Sequence, residues 1–191
     1  PFVMGTTGSD RDALAQTVAA GDGTYCIIAP NMAKQIVAIQ AAFSQLAVDF
    51  PSAFSGYKLR VVESHQSTKA DTSGTAKAIS ADLARLTAEA DFTPEAIERV
   101  RDPAEQLAGG GLSHTGVSPV PESAISGHAY HTYSMVSGDG MVEFQLRHNV
   151  QGRTTAAEGT VDAAVFLAAR IAAGESQRQY TMIDVLRAGG M

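Results

Sequence analysis

Apolar residues recur every three or four positions over Ile36, Ile39, Phe43, Leu46 and Phe50, the period of a helix with one buried stripe, and Pro51 stops it. The period returns over Ala76, Ile79, Leu83 and Leu86, and again over Val161, Val165, Ala168 and Ile171, one face of a helix expected at about 155–173. Between these stretches the pattern shortens. Residues 25–29 and 57–63 are short runs rich in apolar and β-branched side chains and read as strands. Residues 129–136 and 141–150 flank Ser137-Gly138-Asp139-Gly140. Val142, Phe144, Leu146, His148 and Val150 alternate as in a strand with one buried face, so the pair predicts a hairpin.

The remaining signals are local. Pro1-Phe2-Val3-Met4 runs as a strand into Gly5-Thr6-Thr7-Gly8, Ser9 or Asp10 caps a helix to about Val18, and the Gly21-Asp22-Gly23 turn leads into the strand at 25–29. This is a βαβ unit. A domain seldom opens inside a buried strand, so Pro1 is expected to be an internal residue of a longer protein or of a truncated form. Thr93-Pro94-Glu95 opens a short helix with Pro at its first position. Residues 108–122, with Gly109-Gly110-Gly111 and two prolines, are expected to be a flexible loop, and 182–186 a final strand or helical turn.

Composition narrows the function classes. The 191 residues are 45% hydrophobic, enough for a sizeable core, and carry 14 Lys and Arg against 20 Asp and Glu for a net charge of −6. That balance argues against a nucleic-acid surface, though Lys58, Arg60 and Lys69 could form a local pocket for a dianion. No apolar run approaches the eighteen or so residues of a membrane-spanning helix. The single Cys26 lies in an apolar run and is expected to be buried rather than reactive. Of His114, His128, His131 and His148, the pair His128-x-x-His131 is the closest, but on a strand that spacing points to opposite faces. No metal is expected there.

The chemistry concentrates in Glu63-Ser64-His65-Gln66-Ser67-Thr68-Lys69-Ala70-Asp71-Thr72-Ser73-Gly74-Thr75-Ala76. His65 is expected just past a strand end, where an imidazole with an ordinary pKa of about 6.5 can act as a general acid. Thr72 or Ser73 can cap the following helix, whose first-turn amides and dipole suit a carboxylate or phosphate, and Lys69 can add a point charge. Singly, each residue has a plainer reading as a cap, a solvated lysine or a half-buried ring. Together they point to an anion site with a proton donor.

This segment resembles the signature of the dihydrodipicolinate reductase family, Glu-x-His-His-x-x-Lys-x-Asp-x-Pro-Ser-Gly-Thr-Ala. Glu63, His65, Lys69, Asp71, Ser73, Gly74, Thr75 and Ala76 match, Gln66 replaces the second His, and the Pro is absent, which resembles the plant and algal branch. Gly5-Thr6-Thr7-Gly8, Ala29-Pro30-Asn31-Met32, the run 145–153 and Ala157-Glu158-Gly159-Thr160-Val161 extend the resemblance along the whole chain.

The resemblance implies an α/β (α+β) fold: a partial Rossmann-like βαβ segment, then an open mixed sheet with flanking helices. It places the remnant of a dinucleotide-binding domain at 1–50, a substrate-binding and oligomerisation domain at 51–154, and a helix and tail returning to the nucleotide domain at 155–191. It further implies hydride transfer from NADH or NADPH to the unsaturated ring of a small-molecule dicarboxylate. His65 would be the acid, assisted by Lys69, with Gln66, Ser73, Gly74, Thr75 and Arg153 at the substrate, and Gly5, Thr6, Thr7, Ala29, Pro30 and Met32 at the cofactor. A homodimer or homotetramer through the sheet and residence in the chloroplast stroma, or otherwise the cytoplasm, follow in the same way. For Arg153 a surface ion pair with Glu158 or Asp162 stands as an equal alternative.

The Gly-x-Gly-x-x-Gly dinucleotide fingerprint is not in these residues; Gly21-x-Gly23, Gly109-x-Gly111 and Gly138-x-Gly140 read as turns. A second reading therefore stands beside the reductase: a truncated paralogue that binds a dicarboxylate or assembles without catalysis.

Overall fold

The computed structural model describes residues 1–6, 10–21, 23–109 and 116–189. In chain order the elements are β1 (Phe2–Met4), α1 (Arg11–Ala20), β2 (Cys26–Ile28), α2 (Lys34–Asp49), β3 (Lys58–His65), α3 (Gly74–Thr87) and β4 (Glu98–Val100). Then follow α4 (Pro103–Ala108), β5 (His128–Val136), β6 (Glu143–Gln151), α5 (Thr154–Ala172), β7 (Gln179–Tyr180) and α6 (Met182–Arg187). They form two compact units, Pro1–Ala41 with Thr154–Met191, and Ala42–Arg153. The mixed α/β class expected from the resemblance is the one found.

The first unit holds a parallel sheet of order β1-β2-β7, with Phe2 opposite Cys26 and Cys26 opposite Gln179. Of the two expected caps of α1, Asp10 takes the role, accepting from the Ala13 amide at 2.9 Å. Residue 182 opens a helix rather than a strand, because Thr181 and Asp184 close a reciprocal capping box there. The core joins Tyr25, Ile27 and Met32 to Ala163, Phe166 and Leu167 of α5 and to Met182 and Val185.

Helix α5 does not bury the face that its valines suggest. Val161 and Val165 are 62% and 66% exposed, and Gly159, Ala163, Phe166 and Leu167 face inward instead. The helix has two apolar stripes, and the one containing glycine can approach backbone. A Cβ on Gly159 would lie 1.8 Å from the Met32 carbonyl oxygen. The Lys34–Asp162 ion pair lies along the same side.

The second unit is built on a four-stranded sheet of order β4-β3-β5-β6, parallel between β3 and β4 and antiparallel elsewhere. Leu59, Val61, Tyr133 and Met135 pack against Ala76, Ile79, Leu83 and Leu86 of α3. Val62 and Tyr130 face the other way, onto Val100, Val117, Val120 and Ala124. Residues 116–122 are therefore not the flexible loop expected from their glycines and prolines: Val117 and Val120 are buried, and the Val120 amide donates to the Gln106 carbonyl at 2.9 Å. The rest of that stretch, 110–115 with His114, lies outside the described residues.

Three elements, β4, α4 and β7, have no counterpart among those expected from the sequence. The helix expected at Thr93-Pro94 is a single 3-10 turn, Pro94–Ala96. The alternating face of β6 is only half covered, with Val142 and Phe144 43% and 48% exposed, because β6 is the edge strand. Among the described residues no helix is long and apolar enough to cross a membrane.

Candidate active site

The apolar face of the second unit turns polar at one end. Glu63 lies directly opposite His131, and His131 opposite His148, so three titratable side chains share a face across β3, β5 and β6. His65 is on that face too, two residues along from Glu63. Contrary to the sequence expectation it does not follow the strand but completes it, paired with Ala129. The His65 and His131 rings meet edge to face at 5.0 Å, and those of His131 and His148 stack at 4.5 Å. His128 turns to the opposite face, where its Nε2 lies 2.8 Å from Ser64 Oγ.

The loop after β3 is tied down by a residue that sequence reasoning missed. Arg101 donates from Nη2 to Glu63 Oε1 at 2.5 Å, from Nε to the Lys69 carbonyl at 2.9 Å, and from Nη2 to the Asp71 carbonyl at 3.3 Å. One guanidinium thus spans the loop from end to end. Arg99 adds a bond to the Ala70 carbonyl at 2.9 Å. Gln106, fully buried on α4, donates from Nε2 to the His65 carbonyl at 2.7 Å. The signal was present: Asp102-Pro103 is a cap followed by proline, the same signature as Thr93-Pro94, and Asp102 caps α4.

Ser73 is the N-cap of α3, its Oγ accepting from the Ala76 amide at 3.3 Å, while its own amide donates to Glu63 Oε2 at 3.0 Å. That amide is therefore committed to Glu63. Lys69 is not a bare charge: Nζ pairs with Asp71 Oδ1 at 2.6 Å. The hydrogen bond from Lys69 holds the Asp71 carboxyl below its ordinary range. Gln66 is half-buried beside His65.

Burial sets the protonation of the row. It pushes His65 down to about 3, helped by the charges of Arg101 and Lys69, and His148 down to about 4. It holds His131 well below its ordinary value, with His148 and His65 adding to the effect. All three rings are neutral at pH 7 in the ligand-free protein. A doubly negative ligand beside His65 would oppose that shift and favour the imidazolium.

The residues expected at the cofactor lie in the first unit, at the carboxyl ends of adjacent parallel strands, where α/β sheets bind ligands. Gly5 and Thr6 follow β1 and are exposed; Ala29, Pro30 and Met32 follow β2, with Pro30 exposed and the other two buried. Gly5 sits against Met32, since a Cβ there would come within 2.9 Å of Met32 Cγ. An open cleft of about 380 Å³ lies beside them, lined by Arg11, Ile28, Pro30 and Thr181 among others. Of the residues expected at the cofactor, Pro30 lines this cleft. Thr7 lies outside the described residues. Arg153 is exposed after β6, and Asp162, one of its two suggested ion-pair partners, is held by Lys34.

Comparison with known proteins decides the family. Residues 36–186 match the family described as "Dihydrodipicolinate reductase, C-terminus". The chain belongs to the dihydrodipicolinate reductase family. It is 50% identical over 191 residues to the probable 4-hydroxy-tetrahydrodipicolinate reductase 1, chloroplastic, of Oryza sativa subsp. japonica, covering 100% of this chain and 52% of that protein. It is 49% identical over the same length to the chloroplastic reductase 1 of Arabidopsis thaliana, again 52% of that protein. A bacterial reductase of the family, from Herminiimonas arsenicoxydans, is 30% identical over 97% of this chain and 63% of its own length. The chain spans about half the length of the plant relatives it matches.

Proposed function

We propose that this chain is the substrate-binding portion of a 4-hydroxy-tetrahydrodipicolinate reductase of lysine biosynthesis. The observation that carries the reading is the Arg101–Glu63 clamp: Arg101 ties Glu63 to the carbonyls of Lys69 and Asp71, and Glu63 in turn accepts from the amide of Ser73, the cap of α3, so the loop between His65 and that helix is fixed. A nicotinamide, NADH or NADPH, supplies the hydride to the unsaturated ring of the dicarboxylate. His65 delivers a proton to the adjacent ring carbon. For that it must first be charged, and the dicarboxylate itself supplies the field that raises its pKa from about 3.

Lys69 exchanges its partner Asp71 for the substrate and balances the charge that develops. Gly74 and Thr75 take one carboxylate at the helix start, Ser73 shapes that turn, Gln66 reaches the other end of the ring through its amide, and Arg153 adds a cation. Gly5, Thr6, Ala29, Pro30 and Met32 would border the nicotinamide. Assembly into a homo-oligomer belongs to the same reading and is supported by the uncovered edge strand β6, with Met141 83% exposed beside Val142 and Phe144. The names of the plant relatives support plastid residence.

Calorimetry with pyridine-2,6-dicarboxylate, a planar mimic of the substrate, tests the site. Binding is expected with net proton uptake at pH 7, seen as a heat that depends on the buffer, and Lys69→Ala is expected to weaken it about tenfold or more. Binding without proton uptake removes His65 as the acid, and unchanged binding by Lys69→Ala removes that residue from the pocket. In the protein of full family length, His65→Ala is expected to lower turnover about a hundredfold. Titration with NADPH separates the reductase from a binding module without catalysis, which would show no affinity for it.

A further inference from the structure

Glu63, His65 and His131 bring one ligand atom each to within 4.8 Å of one another, and all three side chains are buried. Glu63 Oε2 faces Nδ1 of His65 at 3.9 Å and Nε2 of His131 at 3.8 Å. His65 Nδ1 and both ring nitrogens of His131 have no hydrogen-bond partner among the described residues. A buried polar atom without a partner costs about 1–3 kcal/mol, so such a cluster calls for a water, a ligand or an ion.

The donor set selects among these. Two imidazoles and one carboxylate suit a borderline divalent transition ion, whereas magnesium and calcium require mostly oxygen. Burial keeps both rings in the neutral form that a ligating histidine must have. The carboxylate is oriented from outside, by Arg101 on Oε1 and by the Ser73 amide on Oε2, the arrangement that fixes a ligating carboxylate. The direct cross-strand register of Glu63 with His131 makes the pair a property of the sheet, and the stacked His148 ring restricts how His131 can turn.

Opposing this, Arg101 already neutralises Glu63 and Lys69 lies nearby, so the electrostatic attraction for a dication is small. Ligand atoms about 2.0–2.1 Å from a tetrahedral ion stand about 3.3 Å apart, so Glu63 Oε2 must close on each ring nitrogen by roughly half an ångström, and the two nitrogens, within 4.8 Å of each other, must adjust as well. Both effects point to micromolar rather than nanomolar affinity.

We propose that Glu63 Oε2, His65 Nδ1 and His131 Nε2 form a three-ligand site for a divalent transition ion of the zinc class. A nitrogen bound to metal cannot carry the proton of an imidazolium, so occupancy takes His65 out of proton transfer. The site stands on the geometry and donor chemistry of these three residues; only its inhibitory effect rests on His65 being the acid.

Cobalt(II) tests it without reference to turnover. Titration into chelator-treated, dialysed protein, with no dicarboxylate present because dicarboxylates bind metals, is expected to give one equivalent of a four-coordinate visible spectrum, displaced by zinc(II). Paramagnetic shifts should mark the imidazole resonances of His65 and His131 in the unaltered protein, an assignment that needs no variant to fold. His131→Phe should lower the affinity at least tenfold, while His148→Phe, outside the three ligands, should change it by less than threefold. Absence of binding below millimolar cobalt, unshifted His65 and His131 resonances, or an unchanged affinity in folded His131→Phe would each overturn the site. If the metal fails to bind while pyridine-2,6-dicarboxylate still binds with proton uptake, the metal site falls and the reductase reading stands.

Discussion

The two units divide the work unequally. The first has strands of three, three and two residues, and its α1 buries no side chain. The second has strands of eight, nine and nine residues beside the three-residue β4, covered on both faces at its centre, and it contains the candidate acid, the Arg101 clamp and the histidine row. All five histidines of the chain fall within its limits of 42–153. Long strands are what make the row possible, since only a ladder continuing past the apolar core can place polar residues in register beyond it. The larger core is thus combined with the more acid-sensitive chemistry.

Acid should therefore reverse the order of stability that core size suggests, and this is the largest effect expected. His65, His131 and His148 have folded-state pKa values below the unfolded value of about 6.5, so below that pH the unfolded chain binds more protons. Their contribution is full above pH 6.5 and declines as pH falls towards about 4 for His148 and about 3 for His65. Each histidine removes up to about 1.4 kcal/mol per pH unit over its window. Hydrogen exchange followed from pH 7 to pH 4.5 should show β3 and β5 losing protection faster than β1 and β2. Equal losses in both units would break the comparison.

Arg101→Met comes next. It leaves Glu63, whose side chain is fully buried, without its cation and should cost about 3–5 kcal/mol at pH 7. Denaturant midpoints measure it, and a cost under about 1 kcal/mol would show that the clamp does not hold the loop.

What the sequence reveals about this site follows from the range of each interaction. The helix start at Ser73, the strand before it and the hairpin at 137–140 are encoded by neighbouring residues, and all three were legible. Glu63, His131 and His148 are far apart in sequence, and only strand register makes them neighbours; the separation of His128 from His131 by strand parity was readable, but not which residue His131 would face instead. Arg101 depends on β4 running parallel beside β3, a long-range pairing with no local trace, although the Asp102-Pro103 cap marked the helix that follows it. On α5 hydrophobicity favoured the wrong stripe, because close approach at Gly159 outweighed the larger side chains of Val161 and Val165.

Substitutions on the two stripes of α5 test the last of these points at smaller magnitude. Gly159→Ala places a methyl group against the Met32 carbonyl, and the helix must move to accept it, at a cost of about 1–3 kcal/mol confined to the first unit.

Val165→Ser, on the exposed stripe, should change the stability of the isolated chain by no more than about 0.5 kcal/mol. The pair is informative because hydrophobicity alone predicts the reverse order, with the valine essential and the small residue replaceable. Thermal unfolding of the two variants side by side decides it: a larger loss for Val165→Ser would mean that the valine stripe is covered in solution and that α5 has another partner.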